Sequence, residues 1–115
     1  MIHIAVVGLG LIGKKHIACI QANPRTKLVA VVGPDTPENQ MVASANQLPL
    51  SLSIDDLWSL PNLDGVIIAS PNIYHVDQAI SCLEHNKSVL VEKPIAHSLE
   101  AGDRLLTAVQ MHNGR

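Results

Sequence analysis

Phenylalanine is absent from these 115 residues, and Trp58 and Tyr74 are the only Trp and Tyr. A core without those rings must be filled by Val, Ile, Leu and Ala. Such residues are plentiful, since 47% of the chain is hydrophobic, and that share excludes disorder. An aliphatic core of this kind suits parallel strands covered by helices on both faces. Cysteine is equally scarce. Cys19 and Cys82 fall in separate predicted helices with no CxxC pair, which excludes a disulfide framework and points to two reduced thiols in a cytoplasmic protein. The six histidines are scattered, so no metal site is expected. The formal charge is −2 and Lys and Arg form no cluster, which argues against nucleic acid as a partner. No apolar run has the length of a membrane span or the pattern of a signal peptide, so no membrane partner is expected either.

What is present is alternation. "IHIAVVG" (2–8) reads as a strand and "LIGKKHIACIQAN" (11–23) as a helix ended by Pro24. "KLVAVVG" (27–33) is a second strand, and 37–47 a helix opened by Pro37 and Glu38. "SLS" (51–53) suggests a short third strand, followed by a helical "SIDDLWSL" in which Ser53 and Asp56 have the spacing of a capping box. "DGVIIAS" (64–70) is a fourth strand. The helix after it carries Ile73, Val76, Ile80 and Leu83 on one stripe and ends near Asn86. "SVLVE" (88–92) is a fifth strand, and a last helix opens at Ser98. Strand and helix in strict alternation predict a doubly wound α/β domain with a parallel sheet, occupying residues 1–115. Dinucleotide-binding sheets usually have six strands in the order 3-2-1-4-5-6, and the sixth is missing here. The expectation is therefore the front part of a longer protein, with a bare fifth strand that favours self-association as a homo-oligomer.

"VVGLGLIGKKH" (6–16) places Gly8, Gly10 and Gly13 in the GxGxxG spacing between a strand and a helix. Gly8 permits the tight turn, Gly10 lets backbone approach a pyrophosphate, and Gly13 lets helix pack on strand. The same fingerprint calls for an acidic residue about 20 residues on, to bind the adenosine ribose. That count lands on Gly33, with Asp35 displaced by two residues. The missing carboxylate removes a repulsion against a 2′-phosphate, yet no Arg or Lys stands there to welcome one. NAD and NADP both stay open as cofactors.

Ligands of such a sheet sit outside the carboxyl ends of the strands, where the strand order reverses. Three unusual runs meet there: the glycine turn after the first strand, "SPNIYH" (70–75) after the fourth, and "EKP" (92–94) after the fifth. Pro71 offers a rigid wall, Asn72 caps the following helix, and His75, one turn into that helix, reads equally as a structural or a ligand-contacting histidine. A strand that delivers Glu92 and Lys93 together is either ending in a solvated ion pair or supplying a site.

"GLGLIGKKH", "GVIIASPNIYH" and "VLVEKPIAHSLEAGDRLL", in this order, resemble the N-terminal domain of the glucose–fructose oxidoreductase, inositol dehydrogenase and rhizopine catabolism (Gfo/Idh/MocA) family over essentially the whole chain. The resemblance implies an NAD(P)-dependent oxidoreductase acting on a sugar, cyclitol or related small molecule. It implies a cofactor site built from Gly8, Leu9, Gly10, Leu11, Ile12, Gly13, Gly33, Asp35, Ser70, Pro71, Asn72, His75, Glu92, Lys93 and Pro94. Lys93 would be catalytic, hydrogen-bonded to the reacting oxygen beside the nicotinamide, with Glu92 in support. An ammonium there stabilises a developing oxyanion and feeds a proton relay. The C-terminal substrate domain of the family is not among these residues, so the 115 residues by themselves are expected to bind cofactor weakly and to catalyse little. A non-catalytic NAD(P)-binding sensor is the alternative from another class, and a site for S-adenosylmethionine a more distant one.

Overall fold

The computed structural model describes residues 1–71 and 74–91. Five strands form one parallel sheet: β1 (Ile2–Val7), β2 (Thr26–Val32), β3 (Leu50–Ser51), β4 (Gly65–Ile68) and β5 (Ser88–Val91). Their order across the sheet is β3-β2-β1-β4-β5. The reversal falls between β1 and β4, as a doubly wound sheet requires. Helices α1 (Leu11–Ala22), α2 (Pro37–Ala45) and α3 (His75–Glu84) and a 3₁₀ helix (Ile54–Ser59) form the crossovers.

The central strands are apolar on both faces because both are covered. Ala5 and Val7 of β1, Ala30 and Val32 of β2, and Val66 and Ile68 of β4 meet Leu57 of the 3₁₀ helix and Ala79 and Cys82 of α3. On the opposite face Val6 and Val31 meet Ile17 and Ile20 of α1 and Ala43 of α2. A bulge in the β1–β2 pairing, where Ile4 faces Leu28 but Ala5 faces Ala30, lets the side chains on either side of it keep these faces.

Differences from the sequence reading are local. "SIDDLWSL" is not an α-helix with a capping box: Ser53 Oγ accepts from the Asp55 amide, and Asp56 N donates to the Ser53 carbonyl in a 3₁₀ pattern. Six residues followed by Pro61 are too short a run to favour the α form. The buried stripe of α3 is His75, Val76, Ala79, Cys82 and Leu83, with Ile80 only partly buried. Ile73 and the segment with the proposed last helix lie outside the described residues. α2 and α3 close by the same device. Gln47 (φ 58°) and Asn86 (φ 59°) take the left-handed conformation, and the amides of Leu48 and Lys87 reach back to the carbonyls of Ala43 and Cys82. This is the Schellman closure, made without glycine.

Trp58 of the 3₁₀ helix stacks on His85 at the end of α3, with ring centroids 4.2 Å apart and planes 7° from parallel. The two crossovers on this face are thereby joined over β4.

Of the two cysteines, Cys19 is exposed on α1 and Cys82 is fully buried under α3. Burial pushes the Cys82 thiol up from 9.0 to about 12, against a smaller lowering by a backbone hydrogen bond. The unfolded chain releases this proton near the ordinary value and the folded chain holds it. The contribution of the neutral thiol to stability is thus complete below pH 9.0 and lost as the pH rises through about 12. In the folded protein an aromatic disulfide reagent should modify Cys19 promptly and Cys82 only after denaturation; equal rates for both would contradict the packing of α3 described here.

Candidate functional site

Four strands deliver their carboxyl ends to one cleft of about 560 Å³. Its walls include Val7 and Gly8 from β1, Val32 to Pro34 from β2, Leu52 to Ile54 after β3, and Ser70 and Pro71 after β4. Tyr74 and Gln78 close it from the α3 side.

The glycine turn makes the cleft possible. Gly8 has φ +92°, a conformation side chains rarely adopt, and a Cβ there would lie 2.5 Å from the Ser70 amide nitrogen. β1 and the loop after β4 therefore touch backbone to backbone. Gly13, on the first turn of α1, is held so tightly that a Cβ would stand 1.9 Å from the Gly8 carbonyl oxygen. The Gly8 amide donates to Val32 O at 2.8 Å, and the Ala69 amide to Val7 O at 2.7 Å, which ties the three strand ends together. Gly10 is different. A Cβ there would meet nothing within 4 Å, so this residue is not required by packing within the described chain.

Gly10 is also the N-cap of α1, and no side chain of the described residues caps that helix; its first turn carries no acid. The opening amides of a helix lack partners within the helix and attract anions. α2 opens in the opposite way, with Thr36 Oγ accepting from Asn39 N at 3.1 Å and Glu38 in its first turn. One helix satisfies its own end and the other leaves its start without a side-chain cap, beside the glycine turn. A smooth backbone approach at Gly10 and an uncapped, acid-free helix start are what a pyrophosphate needs, so the residues present fit a dinucleotide.

The remaining side chains sort by exposure. Leu9 is buried in the α1–α2 core and serves the turn through its backbone, whereas Leu11 and Ile12 are 71% and 46% exposed beside Gly10. Gly33 ends β2 in a buried position, and Asp35 Oδ1 accepts from Gln40 Nε2 at 2.9 Å. His75 is the first residue of α3 and not one turn within it, because the helix starts only after Tyr74. It is 1% exposed, does not line the cleft, and its Nε2 donates to the Ser70 carbonyl. It braces the loop after β4 from behind. Ser70 Oγ is bonded in turn to Gln78 Oε1. Asn72, Glu92, Lys93 and Pro94 lie outside the described residues; the N-cap position of α3 belongs to Tyr74.

Sequence reasoning did not single out Tyr74, Gln78 or the 52–54 segment. Gln78 stands three residues after His75, on the same helix face, which is a usable signal once His75 is suspected. Leu52 to Ile54 enter through the strand order, which brings the end of β3 alongside that of β2.

A parallel 3-2-1-4-5 sheet with a GxGxxG turn at its reversal point defines a Rossmann dinucleotide-binding domain. Comparison with known proteins agrees: the family described as "Oxidoreductase family, NAD-binding Rossmann fold" matches residues 2–115, and the chain belongs to this Gfo/Idh/MocA family. It is 31% identical over 108 residues to 2,7-anhydro-N-acetylneuraminate hydratase of Mediterraneibacter gnavus, covering 94% of this chain and 28% of that protein. It is 35% identical over 101 residues to inositol 2-dehydrogenase 1 of Mycolicibacterium vanbaalenii, covering 86% of this chain and 29% of the relative. Among solved structures, scyllo-inositol dehydrogenase from Lactobacillus casei superposes with a TM-score of 0.89 at 30% identity, over 98% of this chain and 34% of that one. The WlbA dehydrogenase from Bordetella pertussis, in complex with NADH and UDP-GlcNAcA, gives 0.89 at 30% identity over 99% and 33%. The chain spans about a third of the length of these relatives.

The three glycines are expected to separate on substitution. Gly8→Ala and Gly13→Ala should each cost about 2 kcal/mol or more, through left-handed strain and backbone overlap respectively. Gly10→Ala should cost no more than about 1 kcal/mol, the difference between glycine and alanine as an N-cap. Urea denaturation midpoints measure all three, and equal losses would contradict the division of labour in the turn.

Proposed function

We propose that the chain is the cofactor-binding part of an NAD(P)-dependent oxidoreductase that moves hydride between nicotinamide and an alcohol or carbonyl carbon of a sugar, cyclitol or related polyol. The observation that carries this reading is the backbone contact of Gly8 with Ser70 beside the uncapped start of α1. A relative named inositol 2-dehydrogenase and a dehydrogenase solved with NADH and UDP-GlcNAcA support the substrate class. Bound in the cleft, the nicotinamide supplies the hydride acceptor or donor.

The chain's own residues then have separable tasks. Gly10 and the first amides of α1 hold the pyrophosphate. Leu11 and Ile12 offer apolar surface next to it. His75 and Gln78 hold Ser70 in place, and Pro71 and Asn72 border the reacting end. Lys93 holds the reacting oxygen: its ammonium stabilises the alkoxide character that develops there, and it passes a proton to or from that oxygen. Glu92 positions Lys93 and offsets part of its charge. Two features support this role. Val91 pairs with Ile68, so β4 and β5 end in register at the carboxyl edge of the sheet. Lys93 follows Val91 by two residues, a reach of at most about 7 Å.

The test is turnover of inositols and related polyols by the intact protein with NAD(P). Lys93→Ala should lower kcat by about 10²- to 10⁴-fold while the NADH dissociation constant moves less than about threefold. Gly10→Ala should do the reverse at its own step, weakening NADH binding by at least about tenfold. Retention of wild-type turnover by Lys93→Ala would remove the lysine from the chemistry. NADH binding without turnover of any polyol would favour a sensor.

A further inference from the structure

The end of β2 departs from the fingerprint in a way the structure makes specific. Where a carboxylate would grip the adenosine ribose, Gly33 is buried, and a Cβ built on it would lie 3.0 Å from Asn39 Nδ2 and 3.6 Å from Asn39 Cγ. The carboxamide of Asn39, reaching back from the first turn of α2, thus stands where a residue-33 side chain would point. It is fixed there by two bonds, its Nδ2 donating to Pro34 O at 2.8 Å and its backbone amide to Thr36 Oγ at 3.1 Å. Its Oδ1 accepts no hydrogen bond from any described residue. The displaced acid, Asp35, has Oδ1 engaged by Gln40. From Gly33 to Ala45 the sequence contains no Lys or Arg.

A carboxylate at this point repels a 2′-phosphate and a cation attracts it; a neutral amide does neither. We propose that Asn39 replaces the missing carboxylate as an uncharged ribose contact, and that the site therefore takes dinucleotides with and without a 2′-phosphate. Asn39 Oδ1 accepts from the 2′-hydroxyl of the dinucleotide without the phosphate and leaves the phosphorylated one unopposed. This inference rests on the dinucleotide reading above and adds to it the residue that sets cofactor choice.

The experiment is calorimetric titration of the intact protein with NADH and with NADPH. The two dissociation constants should lie within about tenfold of each other. Gly33→Asp restores an acid beside the ribose, and Asn39 can give way because only the end of its side chain is close. That variant should shift the ratio toward NADH by at least about 30-fold, since like charges in contact are costly. Asn39→Asp places the acid at the same point without altering the buried glycine, and should shift the ratio in the same direction if Gly33→Asp does not fold. Asp35→Asn should move the ratio by less than about threefold, because that carboxylate is exposed to solvent and salt and its Oδ1 is directed to Gln40.

Discrimination beyond about 100-fold in the wild type would overturn the proposal, as would a shift of more than about tenfold toward NADPH in Asp35→Asn, which would make Asp35 the reader. An unchanged ratio in both Gly33→Asp and Asn39→Asp would also overturn it. Binding of neither dinucleotide by the wild type is a distinct outcome that removes the dinucleotide reading itself.

Discussion

The contact on which the rest depends is the one between two backbones: Gly8 at the end of β1 and the Ala69–Ser70 peptide after β4. Neighbouring parallel strands normally splay after their last hydrogen bond. Here Gly8 turns at φ +92° against that peptide, and Gly13 brings α1 down onto the Gly8 carbonyl. Any Cβ at either point would push strand, loop or helix outward. The start of α1 is consequently held at the reversal point of the sheet, beside the glycine turn and without a side-chain cap from the described residues.

The two faces of the cleft divide labour by charge and not by shape. α1 begins without cap or acid, which suits a diphosphate. α2 begins capped by Thr36, with Glu38 beside it, and contributes side-chain amides instead. Behind β4, His75 is buried against the Ser70 carbonyl, and Ser70 is bonded to Gln78. Under the proposed function this loop borders the nicotinamide, where bracing matters because a small displacement is costly. The buried, neutral Cys82 belongs to the packing under α3 and not to this chemistry.

Much of this was legible in the chain. The apolar runs at 2–8, 27–33, 64–70 and 88–92 match the observed strands to within two residues at each end, because a strand covered on both faces must be apolar throughout. The GxGxxG spacing located the turn, since only glycine tolerates both the dihedral and the approach. Weaker signals misled where short range could not arbitrate. The spacing of Ser53 and Asp56 is compatible with a capping box, but the chain turns in 3₁₀ form and Asp55 receives the cap. His75 read equally as a structural or a ligand-contacting histidine, and only the late start of α3 put it at the helix's first position, bonded to the Ser70 carbonyl.

By itself, then, the sequence determined the alternation of elements, the parallel sheet and the place of the glycine turn, all of which follow from local sterics and hydrophobic pattern. Only the tertiary structure decided which residues share the cleft. That Asn39 fills the space beside Gly33, that Gln40 engages Asp35, and that Gln78 holds Ser70 depend on how α2 and α3 lie across the strand ends. Those are distances between segments, set by packing across the sheet, and no spacing along the chain encodes them.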